Sequence, residues 1–383
     1  MSWKTVQIKD VCKKVTSGGT PLTSKENYYF PRQIPWVKTK EVNYCRITDA
    51  ETYISQEGLE NSSAKLIPAN SVIVAMYGQG DTAGRVAINK IPVATNQACC
   101  NLIIDDTKAD YRFIYYKLST LYEKLVSLKN GGAQPNLNAA IIKGLEIDIP
   151  SIEMQHSIAD TLSTYDDLIE NNQKQIKLLE EAAQRLYKEW FVDLHFPGYE
   201  NTPIIDGVPQ GWKKELVGNV IEKSYRSKQV MTADYLAEGK IPIIDQSRDF
   251  IAGYTDDEET LVSLDKPIIV FGDHTRILKY IQFPFAKGAD GTQLIVSKCE
   301  NMPQSLLYLS LLNIDLSNYH YARHFKYLKA EEIIVPDIVI AKHFEKLVQP
   351  IFEKVQVLRY QINNAKQARD RLLPKLMSGE LEV

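Results

Sequence analysis

The chain predicts an α+β protein built twice: two globular α/β domains in tandem, each followed by a long helix. Three observations carry this. The second half of the 383-residue sequence repeats the first, the best-kept part of the repeat has coiled-coil spacing, and the less well-kept parts mix short β-rich runs with turn residues.

The repeat is clearest toward the C-terminus. From Pro150 and Pro336, an offset of 186, it runs without gaps to the end of the chain. Ile152 meets Ile338, Gln175-Ile176 meets Gln361-Ile362, and Ala182, Arg185 and Leu186 meet Ala368, Arg371 and Leu372. Upstream the match is gapped but keeps its order. Trp3-Lys4 answers Trp212-Lys213, Ile34-Pro35 answers Ile241-Pro242, and Val72-Ile73-Val74 with Tyr77-Gly78 answers Ile268-Ile269-Val270 with Phe271-Gly272. Repeats of 20 to 50 residues mean a solenoid, whereas one this long means a duplicated domain. The boundaries are a first globular domain over 1–150, a helix over 151–195, a second globular domain over 196–336 and a second helix over 337–383.

The helices follow from alternating steps of three and four. Leu162, Tyr165, Ile169, Asn172, Ile176, Leu179, Ala183, Leu186 and Trp190 form one seam. Val348, Ile351, Val355, Leu358, Ile362, Ala365, Arg369, Leu372 and Leu376 form the other. A helix of ~40 residues spans roughly 60 Å, more than the width of a domain this size, so each seam needs a partner helix. Asn172 and Arg369, polar within apolar seams, are expected to fix register and partner. Pro350 predicts a short helix, a break and then the long one, and Pro374 predicts a kink or stop.

In the globular parts, Ser71 to Met76, Arg85 to Ile88 and Leu102 to Ile104 read as strands, and Tyr111 to Leu128 as a helix. Pro267 to Phe271, Thr292 to Val296 and the helix Ser305 to Leu312 repeat this plan. Each domain is expected to hold a twisted, largely antiparallel sheet.

Composition narrows the function. At 44% apolar and 24% charged residues, the chain has room for two ordinary cores. No apolar run approaches the ~20 residues of a membrane span, and the Met1-Ser2-Trp3-Lys4 start reads as no signal peptide. Five cysteines, Cys12, Cys45, Cys99, Cys100 and Cys299, without a CxxC pair, argue against a disulfide framework or zinc site, so the expected compartment is the reducing cytoplasm. Residues 1–150 carry 18 Lys/Arg against 14 Asp/Glu, and 151–195 carry 4 against 9. A nucleic-acid-binding face would therefore be local, and the acidic first helix suits protein contact or solvent.

Motifs for chemistry are missing. There is no P-loop, and neither the phenylalanine-glycine cofactor loop nor the Asn-Pro-Pro-aromatic tetrad of an adenine methyltransferase. Gly78-Gln79-Gly80 with Gly84 is a faint phosphate cradle, Asp337 with Glu345-Lys346 lacks the strand context of a metal nuclease, and His274, His320 and His324 lack metal-ligand spacing. The reading is binding rather than catalysis, with no cofactor, no metal and no catalytic residue.

Four strings then carry a resemblance. TSGGTP (Thr16 to Pro21), GGAQPNLN (Gly131 to Asn138), LYKEWFVDLHFPG (Leu186 to Gly198) and LLPKLMSGELEV (Leu372 to Val383), on this duplicated plan, resemble the DNA-specificity subunit of type I restriction-modification systems over the whole chain. The resemblance implies two target-recognition domains that read the halves of a split double-stranded DNA target. It implies long helices paired antiparallel as a spacer, with pseudo-two-fold symmetry. It also implies docking of two methyltransferase (modification) subunits, with nuclease-translocase (restriction) subunits joining for cleavage. The second copy departs from the first where GGAQPNLN becomes Ala322-Arg323-His324-Phe325-Lys326-Tyr327-Leu328, which blocks residue-by-residue transfer between those loops. Trp190 and Phe191 fit either the coiled-coil core or a methyltransferase-facing patch.

Base reading calls for Arg or Lys at guanine, Asn or Gln at adenine, and loops that enter a groove. In the first copy the candidates are Trp36, Lys38, Thr39, Lys40, Tyr77, Gln79, Arg85, Gln134 and Asn136. In the second they are Asp245, Gln246, Ser247, Arg248, His274, Thr275, Arg276, Arg323 and Lys326. Against each stands a solvated loop residue, and Trp36 and Tyr77 equally fit core positions. The sequence favours a sequence-specific DNA-binding subunit without catalysis; the alternative is a protein-interaction scaffold that has lost DNA binding.

Overall fold

A computed structural model describes residues 3–129, 136–222, 227–263, 265–319 and 323–382. The chain divides into two compact units, one of residues 1–170 with 363–383 and the other of 171–362. Each unit therefore contains one globular domain and a length of both long helices.

In the first unit, Ser71–Ala75 lies between Cys99–Ile104 and Val86–Asn89 in a five-stranded sheet, antiparallel to both. Its five residues are all buried, as an unbroken Ser-Val-Ile-Val-Ala run in a central strand requires. A smaller sheet centres on Ile34–Val37, antiparallel to Tyr53–Ile54 and parallel to Ala94–Thr95. Lys4–Gln7 pairs antiparallel with Glu146–Ile149, the strand that leads into the first long helix. The expected helix over Tyr111 to Leu128 is two helices, Tyr111–Ser119 and Tyr122–Ser127. The break follows from side-chain capping: Ser119 Oγ donates to Tyr116 O at 2.8 Å and Thr120 Oγ1 donates to Lys117 O at 2.8 Å.

The second unit repeats the plan. Ile268–Gly272 lies between Leu278–Ile281 and Thr292–Ile295, antiparallel to both. Ile241–Ile244 runs antiparallel to Gly253–Thr255 and parallel to Phe285–Lys287. Lys213–Leu216 pairs antiparallel with Glu332–Val335, which leads into the second long helix. Each domain thus has several small, mostly antiparallel sheets with parallel pairs among them, rather than the one sheet expected.

The first long helix spans Ile152–Tyr187 and continues as a π-helical turn, Lys188–Val192; the second spans Ile338–Ser378. Asp337 caps the second, accepting from Val339 N at 2.8 Å and Ile340 N at 3.1 Å. The expected break at Pro350 is absent, and Pro374 neither stops the helix nor marks its end. Both prolines are exposed, so the carbonyls they leave without a backbone donor, those of Lys346 and Asp370, can turn to water.

All eighteen seam positions are buried or half-buried. In the second unit, Asn172 Nδ2 donates to Gln361 Oε1 at 3.2 Å, Glu180 pairs with Arg359 at 2.7 Å and Trp190 stacks near Phe344 at 5.5 Å. Partner numbers fall as the first helix's numbers rise, so the helices run antiparallel. In the first unit Ile158, Ala159 and Leu162 share a core cluster with Leu376 and Met377 in the same sense. Each helix end is thereby built into a domain core. Trp190 and Phe191 are core residues, packed with Trp212 and Phe344, while Leu376 and Met377 are their counterparts in the first unit.

Asp166 is a buried charged junction in the first unit. It pairs with Arg369 of the second helix at 2.6 Å, accepts from Tyr116 OH and lies 3.8 Å from Arg46. Arg46 also pairs with Asp167 and, at 3.7 Å, with Glu170. At the repeat-equivalent positions of the second unit stand Phe352 and Ala183, both buried, with the Phe352 ring 4.7 Å from Tyr280. Asp166→Ala removes the carboxylate that Arg369, Tyr116 and Arg46 share, leaving Arg369 with Asp370 at 2.8 Å and Arg46 with Asp167 and Glu170, and should lower stability by about 1–3 kcal/mol, read as the midpoint shift in denaturant unfolding. A loss under about 1 kcal/mol would place the junction among weak surface pairs. Pro350→Ala restores a backbone hydrogen bond in an exposed helix interior and should stabilise the protein by about 1–3 kcal/mol in the same assay.

Candidate nucleic-acid interface

Most of the candidate residues lie on the segments that follow the central strands, while Trp36 sits within its strand, Asn136 precedes the helix Ala139–Gly144, and Arg323 and Lys326 lie at the helix Phe325–Ala330. In the first domain, Asn96 N–H donates to Val37 O at 3.0 Å, Met76 N–H to Ala98 O at 2.8 Å and Leu137 N–H to Met76 O at 3.0 Å. These bonds set the 38–40, 77–85 and 136–138 segments around the 96–98 turn. Gly78 begins the second loop because a Cβ there would meet Thr82 Cβ at 2.8 Å.

Within this frame the side chains differ in availability. Trp36 is a core residue, 5% exposed, with its indole N–H donating to Gly19 O at 3.0 Å. It is withdrawn from the base-contact candidates, because ring and N–H are both engaged inside the domain. Arg85 is half-buried and held by Asn43 Oδ1 at 2.9 Å and Asp81 at 2.6 Å. Lys40 pairs with Glu51, while Lys38 lies 5.2 Å from the Trp36 ring and donates its backbone N–H to Glu41 Oε1 at 2.9 Å. Gln79 is exposed, and Thr39, Tyr77 and Asn136 are half-buried beside it in the same loop cluster. Gln134 lies outside the described residues. Burial pushes the Tyr77 phenol above its ordinary range, so it is a neutral donor at physiological pH.

The second domain closes its loops more tightly. Gln246 clamps them: its Nε2 donates to Asp290 O at 2.9 Å, its Oε1 accepts from His274 N at 3.1 Å and its carbonyl accepts from Thr275 Oγ1 at 2.7 Å. Gly272 permits this approach, since a Cβ would lie 2.1 Å from Thr275 Oγ1. Asp245 accepts from Ser247 N at 2.8 Å and lies 3.8 Å from Lys279, so it organises the loop. Arg276, at φ 62, donates through Nε to His324 Nε2 at 3.2 Å and through Nη2 to Tyr319 O at 2.8 Å. Burial, then the charge of Arg276, holds the His324 imidazole below the usual histidine range, with Asp273 opposing. Arg248, His274, Arg323 and Lys326 are exposed.

The geometry thus divides the candidates into loop-building residues, chiefly Trp36, Arg85, Asp245 and Gln246, and residues that keep donors toward solvent. Sequence reasoning missed Arg46, Asp273, Tyr319 and His324 as organisers. Asp273 is legible only in part, as an acidic residue following the Phe271-Gly272 strand end. Among the described residues no His, Cys, Asp and Glu cluster could hold a metal, and no helix is long and apolar enough to cross a membrane.

Comparison with known proteins agrees with this arrangement. A family model described as a type I restriction modification DNA specificity domain matches residues 1–181. The chain is 31% identical over 100% of its length to the type I restriction enzyme MjaIX specificity subunit of Methanocaldococcus jannaschii, across 94% of that protein. The EcoR124I/EcoR124II specificity subunit of Escherichia coli is 28% identical over 51% of this chain and 48% of its own length. The type I restriction-modification S subunit from M. genitalium shares the fold, with a TM-score of 0.63 at 18% identity, covering 98% of this chain and 96% of that one. Full-length similarity, a duplicated framework and loops rich in free donors favour sequence reading over the scaffold alternative: the chain belongs to the DNA-specificity subunits of type I restriction-modification systems, a non-catalytic class.

Proposed function

We propose that the domains over 1–150 and 196–336 each read one half of a bipartite, asymmetric DNA target. The observation that carries this reading is the pairing of matching strand frameworks with unlike loops. A framework repeated twice offers two similar approaches to the duplex, and loops of different chemistry make the half-sites differ. In the first domain Thr39, Tyr77, Gln79 and Asn136 are the base-facing set, with Lys38 and Lys40 toward phosphate. In the second, Arg276 and His274 face bases, while Arg248, Arg323 and Lys326 supply the charge that draws in the backbone.

Specificity subunits of this class work with DNA and with methyltransferase and restriction subunits. For this chain we infer two methyltransferase subunits docked on the helices over 151–195 and 337–383, with nuclease-translocase subunits joining for cleavage, in the cytoplasm. No chemistry is assigned to the chain itself.

Replacing residues 1–150 with the corresponding domain of another specificity subunit should change one half of the methylated motif. Single-molecule methylome sequencing, in a host that supplies the partner subunits, reads the result; change in both halves, or in neither, sinks the two-reader model. On a finer scale, Arg276→Ala should cost about 1–3 kcal/mol of DNA affinity and relax one base position of the second half-site. A loss uniform across sequences would make Arg276 a phosphate contact instead.

A further inference from the structure

His324 is a buried histidine with one polar partner for its ring. It caps the Phe325–Ala330 helix at 4% exposure. Asp273 fixes its backbone twice: the His324 N–H donates to Asp273 O at 2.8 Å, and the Phe325 N–H donates to Asp273 Oδ1 at 2.7 Å. The ring's Nε2 faces Arg276 Nε at 3.2 Å, and Nδ1 has no partner among the described residues. A guanidinium only donates, so Nε2 must present its lone pair and the ring is the neutral tautomer with its proton on Nδ1. Turning the ring over would set a C–H against the Arg276 N–H and lose the bond.

The consequence lies on Arg276. Its Nε and Nη2 donors to His324 and Tyr319 lie along one edge of the planar guanidinium. That edge is consumed, and the end formed by Nη1 and the second Nη2 proton has no partner among the described residues. The free end is a two-donor fork of the kind that matches O6 and N7 of guanine. The Arg276 backbone, at φ 62, sits where non-glycine residues persist only when their surroundings over-determine them.

We propose that His324 is a positioning residue for base recognition: as a neutral acceptor it holds one edge of the Arg276 guanidinium, so that the other edge faces DNA and sets the preference at one position of the second half-site. This rests on Arg276 being a base contact, as proposed above. His324 is too enclosed to touch DNA itself, so it acts through Arg276.

The test uses the assembled methyltransferase complex, with the methylated motif and competition binding of duplexes varied at each base as readouts. His324→Phe keeps a ring and removes the acceptor, while His324→Gln offers an amide oxygen near the place of Nε2. His324→Phe should relax the position that Arg276→Ala relaxes, with discrimination falling roughly tenfold, and His324→Gln should retain most of it. The first half-site, read by the other domain, should stay unchanged in each variant. Arg276→Ala relaxing a position that His324→Phe leaves intact overturns the positioning role alone. A His324→Gln variant as relaxed as His324→Phe overturns the acceptor role. Arg276→Ala without any change of motif overturns the reading of Arg276, and this inference with it. If His324→Phe fails to fold, His324→Gln and His324→Asn decide, because the shorter amide reaches the Nδ1 place and not that of Nε2: equal motifs from the two overturn the proposal, and retention by Gln alone supports it.

Discussion

Neither long helix can bury its own seam, and the rest of the architecture follows from that constraint. Nine apolar or amide-bearing positions on one face need an equal face opposite, and the antiparallel partner supplies it. Antiparallel pairing brings the last turns of each helix beside the first turns of the other. There they enter a domain core: Trp190 and Phe191 with Phe344, Leu376 and Met377 with Ile158 and Leu162. The first unit's core is therefore incomplete without residues from the extreme C-terminus, and Lys117 Nζ donating to Met377 O at 2.8 Å ties that end down. Contacts of such sequence separation raise the contact order of the unit, which slows folding through the cost of closing long loops.

Equivalent positions solve the same packing problem with different chemistry. Where the first unit sets Asp166 against Arg369, the second sets Phe352 among Tyr280 and Tyr308 with Ala183 close in the same core. A buried ion pair adds little net stability over well-packed apolar groups, yet breaking it is costly. Its use lies in discrimination: a helix register that separates Asp166 from Arg369 loses the bond of this junction that joins the two helices and leaves Arg369 with its neighbour Asp370. The aromatic counterpart carries no such penalty and contributes through buried area and ring contacts. Both units carry a polar check on helix register, Asp166 with Arg369 in the first, and Asn172 with Gln361 and Glu180 with Arg359 in the second.

What was legible in the sequence was whatever repeats or alternates. The seam's steps of three and four marked both helices, the unbroken apolar runs marked Ser71–Ala75 and Ile268–Gly272, and the Tyr77-Gly78 and Phe271-Gly272 pairs marked the strand ends where loops double back. Pro350 misled because the rule treats the helix alone, whereas an exposed proline on a helix clamped along its opposite face leaves only a solvated carbonyl. Trp36 could have been placed inside, since Ile34 and Trp36 share one face of their strand and both are buried. His324 and Arg46 carried no usable signal. Their partners lie 48 and 121 residues away, and only the fold brings them together.

The same frame leaves the two domains with different things to offer DNA, and the reason is visible in how each treats its arginine. Arg85 follows a loop that carries one acceptor, Asp81, and meets a second, Asn43, from the segment before the Cys45–Ile47 strand; these take up the guanidinium and leave the Gln79 amide as an exposed donor. Arg276 meets a neutral ring and a carbonyl, which use one edge and leave its charge and its other edge available. In both cases the central strands bury their apolar side chains in a core, and exposed loop residues such as Gln79 and Arg248 lie outside it, so a change at those positions costs the fold little. On the proposed reading, specificity can then diverge between the copies while the framework stays constant, because recognition would rest on the donors a loop leaves unpaired and the fold rests mainly on the strands and helices beneath.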